Sequence, residues 1–594
     1  MALNKVSMPI AAGSKNEFDL SCDHQTSMNF LLAQPIYYRH VPRGEHFNDV
    51  CTGVVRPVGM STPTFGRLRN NLRAFFVPYR LVYPQYDAGR ADVLGYSYSA
   101  ANIPDTVPRF SAETMHQYFF QSIIISPNPN PVYLYINEVT DATEIANGLY
   151  DFSEGTSYYK FNALGRRHLK LLRCLGYDFI PSGPKTFYFD AMALLCYAQL
   201  YLDWYANSQY LDSAQIVTLR KVLSYNDPTT PLDLSLSEFS SLLALIFAVV
   251  YDTDEYFNAA WDTPVSPTNG QWSMPTVQDV SAPTPSTTSI DVYNNGTPYM
   301  KQIAASNTSV GSQYIHDMLQ ALSNYQRRHA LSGAREIDRA LADYGFVSDY
   351  ASLKRAVYIG NRSFDIQIGD VFSTADTSSS GVSNLGEYAG RGFGNGQGAF
   401  DYTASEDGMI IVVSTIIPSC GIVQGYDRNN RHLSRFDFYD PNFEIGVQVL
   451  EKGEVYVSQN EVFYNGYVEA LAERFAYTGR FAEYKRPRSW WTSESRHKSI
   501  DAGGDAWNLF RLFDDANFAN DITNLTHSLS FTRAVDWDSF NRIFNYIGND
   551  RDKFDCFYHH EVHCQSPMKP LFETYDFKET HKQIKMDING SKLN

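Results

Sequence analysis

Apolar and polar positions alternate differently in different parts of the chain. Leu72 to Tyr83 (LRAFFVPYRLVY) and Gly408 to Pro418 (GMIIVVSTIIP) are continuous apolar runs bounded by turn residues, the pattern of strands buried on both faces. Pro78 cannot donate a ladder hydrogen bond, so the first run is expected to be an edge strand or to end at residue 77. Pro35 to Tyr38, Glu444 to Val457 and Phe554 to His563 also read as extended. The middle of the chain has helical period. Phe161 to Leu175 places Leu164, His168, Leu171 and Leu175 on one stripe and Arg166, Lys170 and Arg173 on another. Phe187 to Tyr205 is apolar nearly all round, as in a buried helix, and Ile315 to Tyr325 keeps helical spacing. Strands near both ends around a helical, loop-rich middle predict a β-sandwich with long inserted connections rather than alternating βαβ units.

Two stretches break the pattern. Thr263 to Gly311 holds six prolines and fifteen Ser or Thr, with Asp279, Asp291 and Lys301 its only charges. It is too polar for a core and reads as a long surface loop or projection. Ser373 to Phe400 carries seven glycines and reads as a second loop. Residues 14–30 are polar with isolated aromatics, like an arm laid across a surface.

Composition adds breadth to this picture. The chain has 594 residues, a length that suggests about three to four domains, although large β architectures with insertions run longer as one. Tyr (41) and Phe (38) are abundant, which suits strands and buried interfaces. The formal net charge of −16 argues against an autonomous nucleic-acid-binding domain. Seven widely spaced cysteines without a C-x-x-C fit folding in a reducing cytoplasm. No signal peptide is evident at the start, and the longest apolar run, Leu242 to Val250, is too short to span a bilayer.

Candidate chemistry is sparse. Cys556 to Cys564 (CFYHHEVHC) is the most metal-like cluster. On a strand, His559, Glu561 and His563 share one face, and Cys556, His560 and Cys564 the other. A zinc-protease helix needs H-E-x-x-H, which is not met, so a polar strand at an edge or interface is expected and no metal or cofactor is assigned. Gly390 to Gly398 (GRGFGNGQG) lacks the preceding strand, following helix and Lys-Ser/Thr pair of a phosphate loop. It is expected to be a flexible loop or inward-facing segment. Basic clusters lie at Arg67, Arg69 and Arg73, at Arg166, Arg167, Lys170 and Arg173, and at Lys485, Arg486 and Arg488 beside Trp490 and Trp491. In the last of these, cations beside stacking rings suit single-stranded DNA, with subunit contact as the competing reading. No G-x-S-x-G, Walker A or EF-hand pattern appears, and no catalytic residue is assigned.

Several segments, in order along the chain, carry a family resemblance. They are Phe18-Asp19-Leu20-Ser21 with His24-Gln25-Thr26, Pro35 to Tyr38, Pro42 to Phe47, and Thr62 to Phe65. Next comes Phe75-Phe76-Val77-Pro78-Tyr79-Arg80-Leu81, like the family's F-F-V-P-x-R-L. Tyr325 to Gly345, Phe436 to Pro441 (a tyrosine-rich strand end), Arg480 to Arg488 (like W-A-E-Y-[RK]) and Cys564 to Leu571 complete the series. The chain resembles the major capsid proteins of the Microviridae, small single-stranded DNA bacteriophages, with the gokushovirus branch nearest. The stretch 207–311 has no counterpart in the resemblance.

The resemblance implies an eight-stranded antiparallel jelly roll with long helical and loop insertions, treated as one domain over residues 1–594. It implies an N-terminal arm at 1–34, an inserted projection within 207–311 and a C-terminal tail at 573–594. It implies a structural protein, not an enzyme, that assembles with itself into a T=1 shell around circular single-stranded DNA. The implied partners are a scaffolding protein, a small basic DNA-binding protein, a pilot or minor capsid protein, and the host surface through the projection. The implied location is the virion, after folding in the bacterial host cytoplasm. A carbohydrate-binding or hydrolytic β-sandwich and a spike or adhesin are the competing readings.

Overall fold

The structure is a computed structural model. It describes residues 15–61, 64–83, 107–124, 131–181, 187–205, 233–246, 276–277, 288–294, 297–305, 355–372, 388–419, 421–422, 425–441, 444, 447–455, 474–485, 509–511, 540–546, 548 and 551–568. Among these the chain is mainly β, built on one large antiparallel sheet. Its nine strands are β1 (Asn16–Asp19), β2 (Cys22–Met28), β3 (Gln34–Val41), β4 (His46–Pro57), β5 (Arg67–Pro78), β6 (Val357–Phe372), β7 (Tyr388–Thr403), β8 (Gly408–Ser419) and β9 (Phe554–Ser566). The order across the sheet is β1-β9-β4-β7-β6-β5-β8-β3, with β2 also paired to β9.

The sheet rolls over on itself, and contacts between strands far apart in that order show it. The Tyr558 hydroxyl on β9 lies 2.7 Å from Ser414 Oγ on β8 and accepts a hydrogen bond from Asn70 Nδ2 on β5 at 2.9 Å. Arg39 on β3, at one end of the order, donates to the Cys564 sulfur on β9, near the other, at 2.6 Å. Inside the roll lies one apolar core, with Phe47, Val55, Leu72, Phe76, Ile410, Val412, Phe554 and Tyr558 all buried. Against the outer faces of β5 and β8 packs a second core, which holds Phe75, Val77, Ile411 and Val413 together with the helices. These two strands are therefore covered on both sides, which accounts for their unbroken apolar runs. Strand β9 instead alternates buried and exposed residues along its whole length, because one face meets solvent. Pro78 ends β5, and β5 is interior, so the edge-strand alternative is excluded.

The longer helices among the described residues are α1 (Ala112–Phe119), α2 (Ala163–Cys174), α3 (Met192–Leu200) and α4 (Leu236–Ile246). Helix α1 starts at Ser111, whose hydroxyl accepts from Thr114 N at 3.0 Å, and α2 starts at Asn162, whose side chain accepts from Gly165 N at 2.8 Å. The apolar stripe of α2 runs through His168, Leu169, Leu171 and Leu172, and Leu164 is exposed, so the predicted stripe is displaced. The expected helix over 187–205 begins as a short strand (Tyr188–Asp190) and ends in a π-helical turn (Tyr201–Tyr205) around α3, which is buried nearly all round. Among the described residues no helix is long and apolar enough to cross a membrane.

Three expectations change. Residues 16–28, read as arm, are strands β1 and β2 of the chain's own sheet, paired to β9. The Gly-rich segment 390–398 is not a loop but the middle of β7, between β4 and β6. The stretch 207–311 is divided: Phe239, Leu242 and Leu243 of α4 are fully buried in the helical core, and 276–305 contains a small antiparallel sheet (Thr276–Val277, Thr288–Asn294, Thr297–Ala305) where a loop was expected. The predicted helix over 315–325 and the tail 573–594 lie outside the described residues, as do residues 1–14 of the proposed arm.

Candidate functional site

Strand β9 carries the metal-like cluster, and its alternation separates the residues as the two-residue period requires. On the wet face, His559 Nδ1 lies 2.6 Å from Asp23 Oδ1 of β2, and His563 pairs with Glu561 at 3.6 Å. On the inner face, His560 Nδ1 lies 3.0 Å from Asp49 Oδ2 of β4, and the Cys51 sulfur lies 3.8 Å from His560 Nε2. Asp49, Cys51 and His560 are each fully buried, and the Tyr37 ring packs 4.9 Å from the imidazole. Cys-His-Asp is the order of a nucleophilic triad. Here no surface of the three reaches solvent, and burial pushes the Cys51 thiol far above its ordinary range, away from the reactive thiolate. The arrangement fastens β9 to β4 from within the roll. Cys556 and Cys564 are raised by burial to about 12 and about 11. Among the described residues no group of three or more His, Cys, Asp or Glu is placed to hold a metal ion.

The glycines of β7 have a steric role. A Cβ on Gly394 would stand 2.8 Å from Ile366 Cγ1, and one on Gly396 would run into the Phe364 ring of β6. The repeated glycine lets large side chains of β6 lie flat across β7, which is close packing and not a phosphate cradle.

Most cations of the first two basic clusters have partners within the chain. Arg67 and Arg69 of β5 share Asp365 of β6, at 2.8 and 3.2 Å, and Arg73 lies over the Tyr205 ring. On α2, Lys170 pairs with Asp552, just before β9. Burial pushes the Asp552 carboxyl up, but Lys170 and the hydrogen bond from Ser27 outweigh it and hold the group below its usual range. Arg173 pairs with Asp178 at 2.8 Å. In the third cluster, Lys485 ends the turn Ala482–Lys485 with its ammonium 2.7 Å from Glu444. Arg486, Arg488, Trp490 and Trp491 lie outside the described residues.

Sequence reasoning missed what Lys485 belongs to. The strand Val447–Glu451 pairs with Arg474–Gly479, and this hairpin brings residues 426–440 against 480–485. Phe436 to Pro441, expected as a strand end, is instead a series of turns. Tyr439 N donates to Tyr484 Oη at 3.4 Å, and the two rings lie 6.0 Å apart. Arg480 Nη2 donates to the Phe436 carbonyl at 2.7 Å, and Gln448 Oε1 accepts from Phe481 N at 2.9 Å. Two motifs about 45 residues apart thus form one aromatic surface beside a shallow pocket lined by Arg428, Arg431, His432, Asp437, Glu451 and Glu483. Contact order hid this, since each motif alone shows only local composition.

Inside the roll Tyr558, Ser414 and Asn70 pair with one another, and His560 with Asp49, while Phe436, Phe438, Tyr439 and Tyr484 are exposed where 436–440 meets 480–485. The sequence model of the family described as "Capsid protein (F protein)" matches residues 191–568, more than half of the chain. The chain belongs to this family of phage capsid proteins. It is also 23% identical over 296 residues to the "Capsid protein VP1" of Chlamydia phage 1, a match covering 49% of this chain and 46% of that one. The chain thus spans about half the length of the curated relative it matches. Both findings agree with the microvirus resemblance read from the motifs.

Proposed function

We propose that this chain is the major coat subunit of a small phage and assembles with copies of itself into a closed T=1 shell around circular single-stranded DNA. The observation that carries the reading is the capsid-family match over 191–568, which takes in β6, β7, β8 and β9 of the rolled sheet. A roll with its own closed apolar core leaves its outer surface and long insertions free for neighbours, as a shell subunit requires. The roll is read as a jelly-roll capsid fold, and the virion as its final location after folding in the host cytoplasm.

The net charge of −16 leaves most of the genome charge to other molecules, so a small basic DNA-binding protein belongs with it, together with a scaffolding protein and a pilot or minor capsid protein. Direct genome contact is assigned to the cluster Lys485, Arg486, Arg488, Trp490 and Trp491, in which Lys485 also meets Glu444 in an exposed pair. The outward projection is assigned to 263–311, beyond buried helix α4, with host-surface binding as its role. Expression of the full chain with the other proteins of its virus, followed by electron microscopy, tests the reading. Uniform small particles are expected, and a subunit that stays monomeric in that mixture overturns it. Ultraviolet crosslinking of DNA-filled particles tests the genome contact, which fails if no peptide from 485–491 carries nucleotide.

A further inference from the structure

We infer that the aromatic surface where residues 432–440 meet 480–485 is a contact site for a second copy of this chain. The inference rests on the shell-forming reading and adds to it where on the subunit a neighbour sits. Leu433 is 75% exposed, and Phe436, Phe438, Tyr439 and Tyr484 are each about half exposed. A concentration of large exposed apolar side chains marks an interaction site.

The rings are also held in place before any partner arrives. Tyr439 packs edge-on against buried Phe481 at 5.3 Å, and Phe438 lies 4.8 Å from the His432 ring. Phe481 takes a left-handed backbone (φ 57°), fixed by the bond from its amide to Gln448. A surface so ordered gives up little side-chain freedom on binding.

Charge decides the occupant. Arg428 pairs with Glu454 at 2.7 Å, Arg431 with Glu451 at 3.6 Å, His432 with Glu483 at 3.5 Å and Lys485 with Glu444 at 2.7 Å. Arg435 and Arg480 lie over the rings of Phe436 and Phe481. A nucleic acid needs cations in excess of local carboxylates, and within 432–440 and 480–485 Arg435, Arg480 and Lys485 are matched by Asp437, Asp440 and Glu483. Two copies carrying −16 each repel on average, so their contacts must fall where charge is locally balanced. Aromatic rings and arginines on a balanced patch are the composition of a protein–protein interface core.

The test compares wild type with the triple variant Phe436→Ser, Tyr439→Ser, Tyr484→Ser, in the full chain expressed with its assembly partners. The altered side chains are about half exposed, so the subunit is expected to stay folded and soluble with only a modest fall in melting temperature. Particle yield is expected to fall by about tenfold or more, as for loss of an aromatic hot spot. In parallel, hydrogen exchange of peptides covering 432–440 and 480–485 is compared between wild-type subunit and DNA-free wild-type particles. Slower exchange in the particle supports the inference, and this arm stands even if the triple variant fails to fold. Wild-type yield from the folded variant, or unchanged exchange in particles, overturns it. Nucleotide adducts on 433–441 in filled particles, without slower exchange in empty ones, also overturn it in favour of a genome contact. If wild type forms no particles, the shell reading itself fails, an outcome separate from particles that form with this surface open.

Discussion

The Tyr558 hydroxyl on the last strand meets the Ser414 hydroxyl on β8 at 2.7 Å, across the inside of the roll. The strands that carry them are not neighbours in the sheet, so this contact and the adjoining bond to Asn70 fasten one side of the roll to the other. Tyr558→Phe keeps the ring and removes the polar bridge. Ser414 and Asn70 retain their own bond at 2.8 Å, so the cost is expected to be about 1–2 kcal/mol, read from denaturant unfolding of the soluble subunit. An unchanged midpoint would show that the bridge adds nothing to closure.

Gly396 lies under the Phe364 ring, and any Cβ there forces the ring or the strand to move. Gly396→Ala is expected to destabilise by about 1–3 kcal/mol through overpacking. Gly479, with open space around its Cα, is the comparison site, and Gly479→Ala is expected to cost less. Equal melting temperatures for the two variants would contradict the steric account of β7.

Lys170 neutralises Asp552 and ties α2 to the start of β9. Lys170→Met leaves a largely buried carboxylate without its cation, and a loss of up to about 3 kcal/mol is expected. Adding Asp552→Asn is expected to recover part of that loss. A double variant as unstable as the sum of the singles would show that the two residues act independently.

Two histidines contribute to the response to mild acid. Burial, with His560 nearby, lowers His24, and burial lowers His168 to about 3, where its Nδ1 meets the Tyr118 hydroxyl at 2.6 Å. A histidine whose folded-state value is depressed favours the unfolded chain once the unfolded imidazole takes up a proton. Stability is therefore whole above the ordinary histidine range near 6.5 and falls steadily as pH drops below it. His168→Gln is expected to flatten this fall in melting temperature between neutral and mildly acid pH. A variant with the wild-type slope would assign the acid response to other groups.

Much of the frame was legible in the residues. The unbroken apolar runs of β5 and β8 and the alternation of β9 announced strands with two covered faces and one, and the burial of Phe75, Phe76 and Tyr558 follows from them. The Cys556 to Cys564 faces fell where a two-residue period puts them. The glycines of β7 misled because glycine is a turn signal locally, and the Phe364 ring that requires it lies on another strand. Residues 16–28 looked like an arm because their polar sequence hides a pairing to residues more than 500 positions away. The aromatic surface was invisible for the same reason: Tyr439 and Tyr484 become one feature only after the hairpin forms.

The central claim, that the chain is a self-assembling shell subunit, is tested most directly by the mass of what it forms. The full chain is co-expressed with the other proteins of its virus, and purified DNA-free particles are weighed intact by charge-detection mass spectrometry. The account predicts one narrow peak at the mass of a closed T=1 shell of 67.3 kDa subunits, adjusted for any retained partner. A product that remains at the subunit mass, or a spread of open oligomers with no closed species, would contradict it.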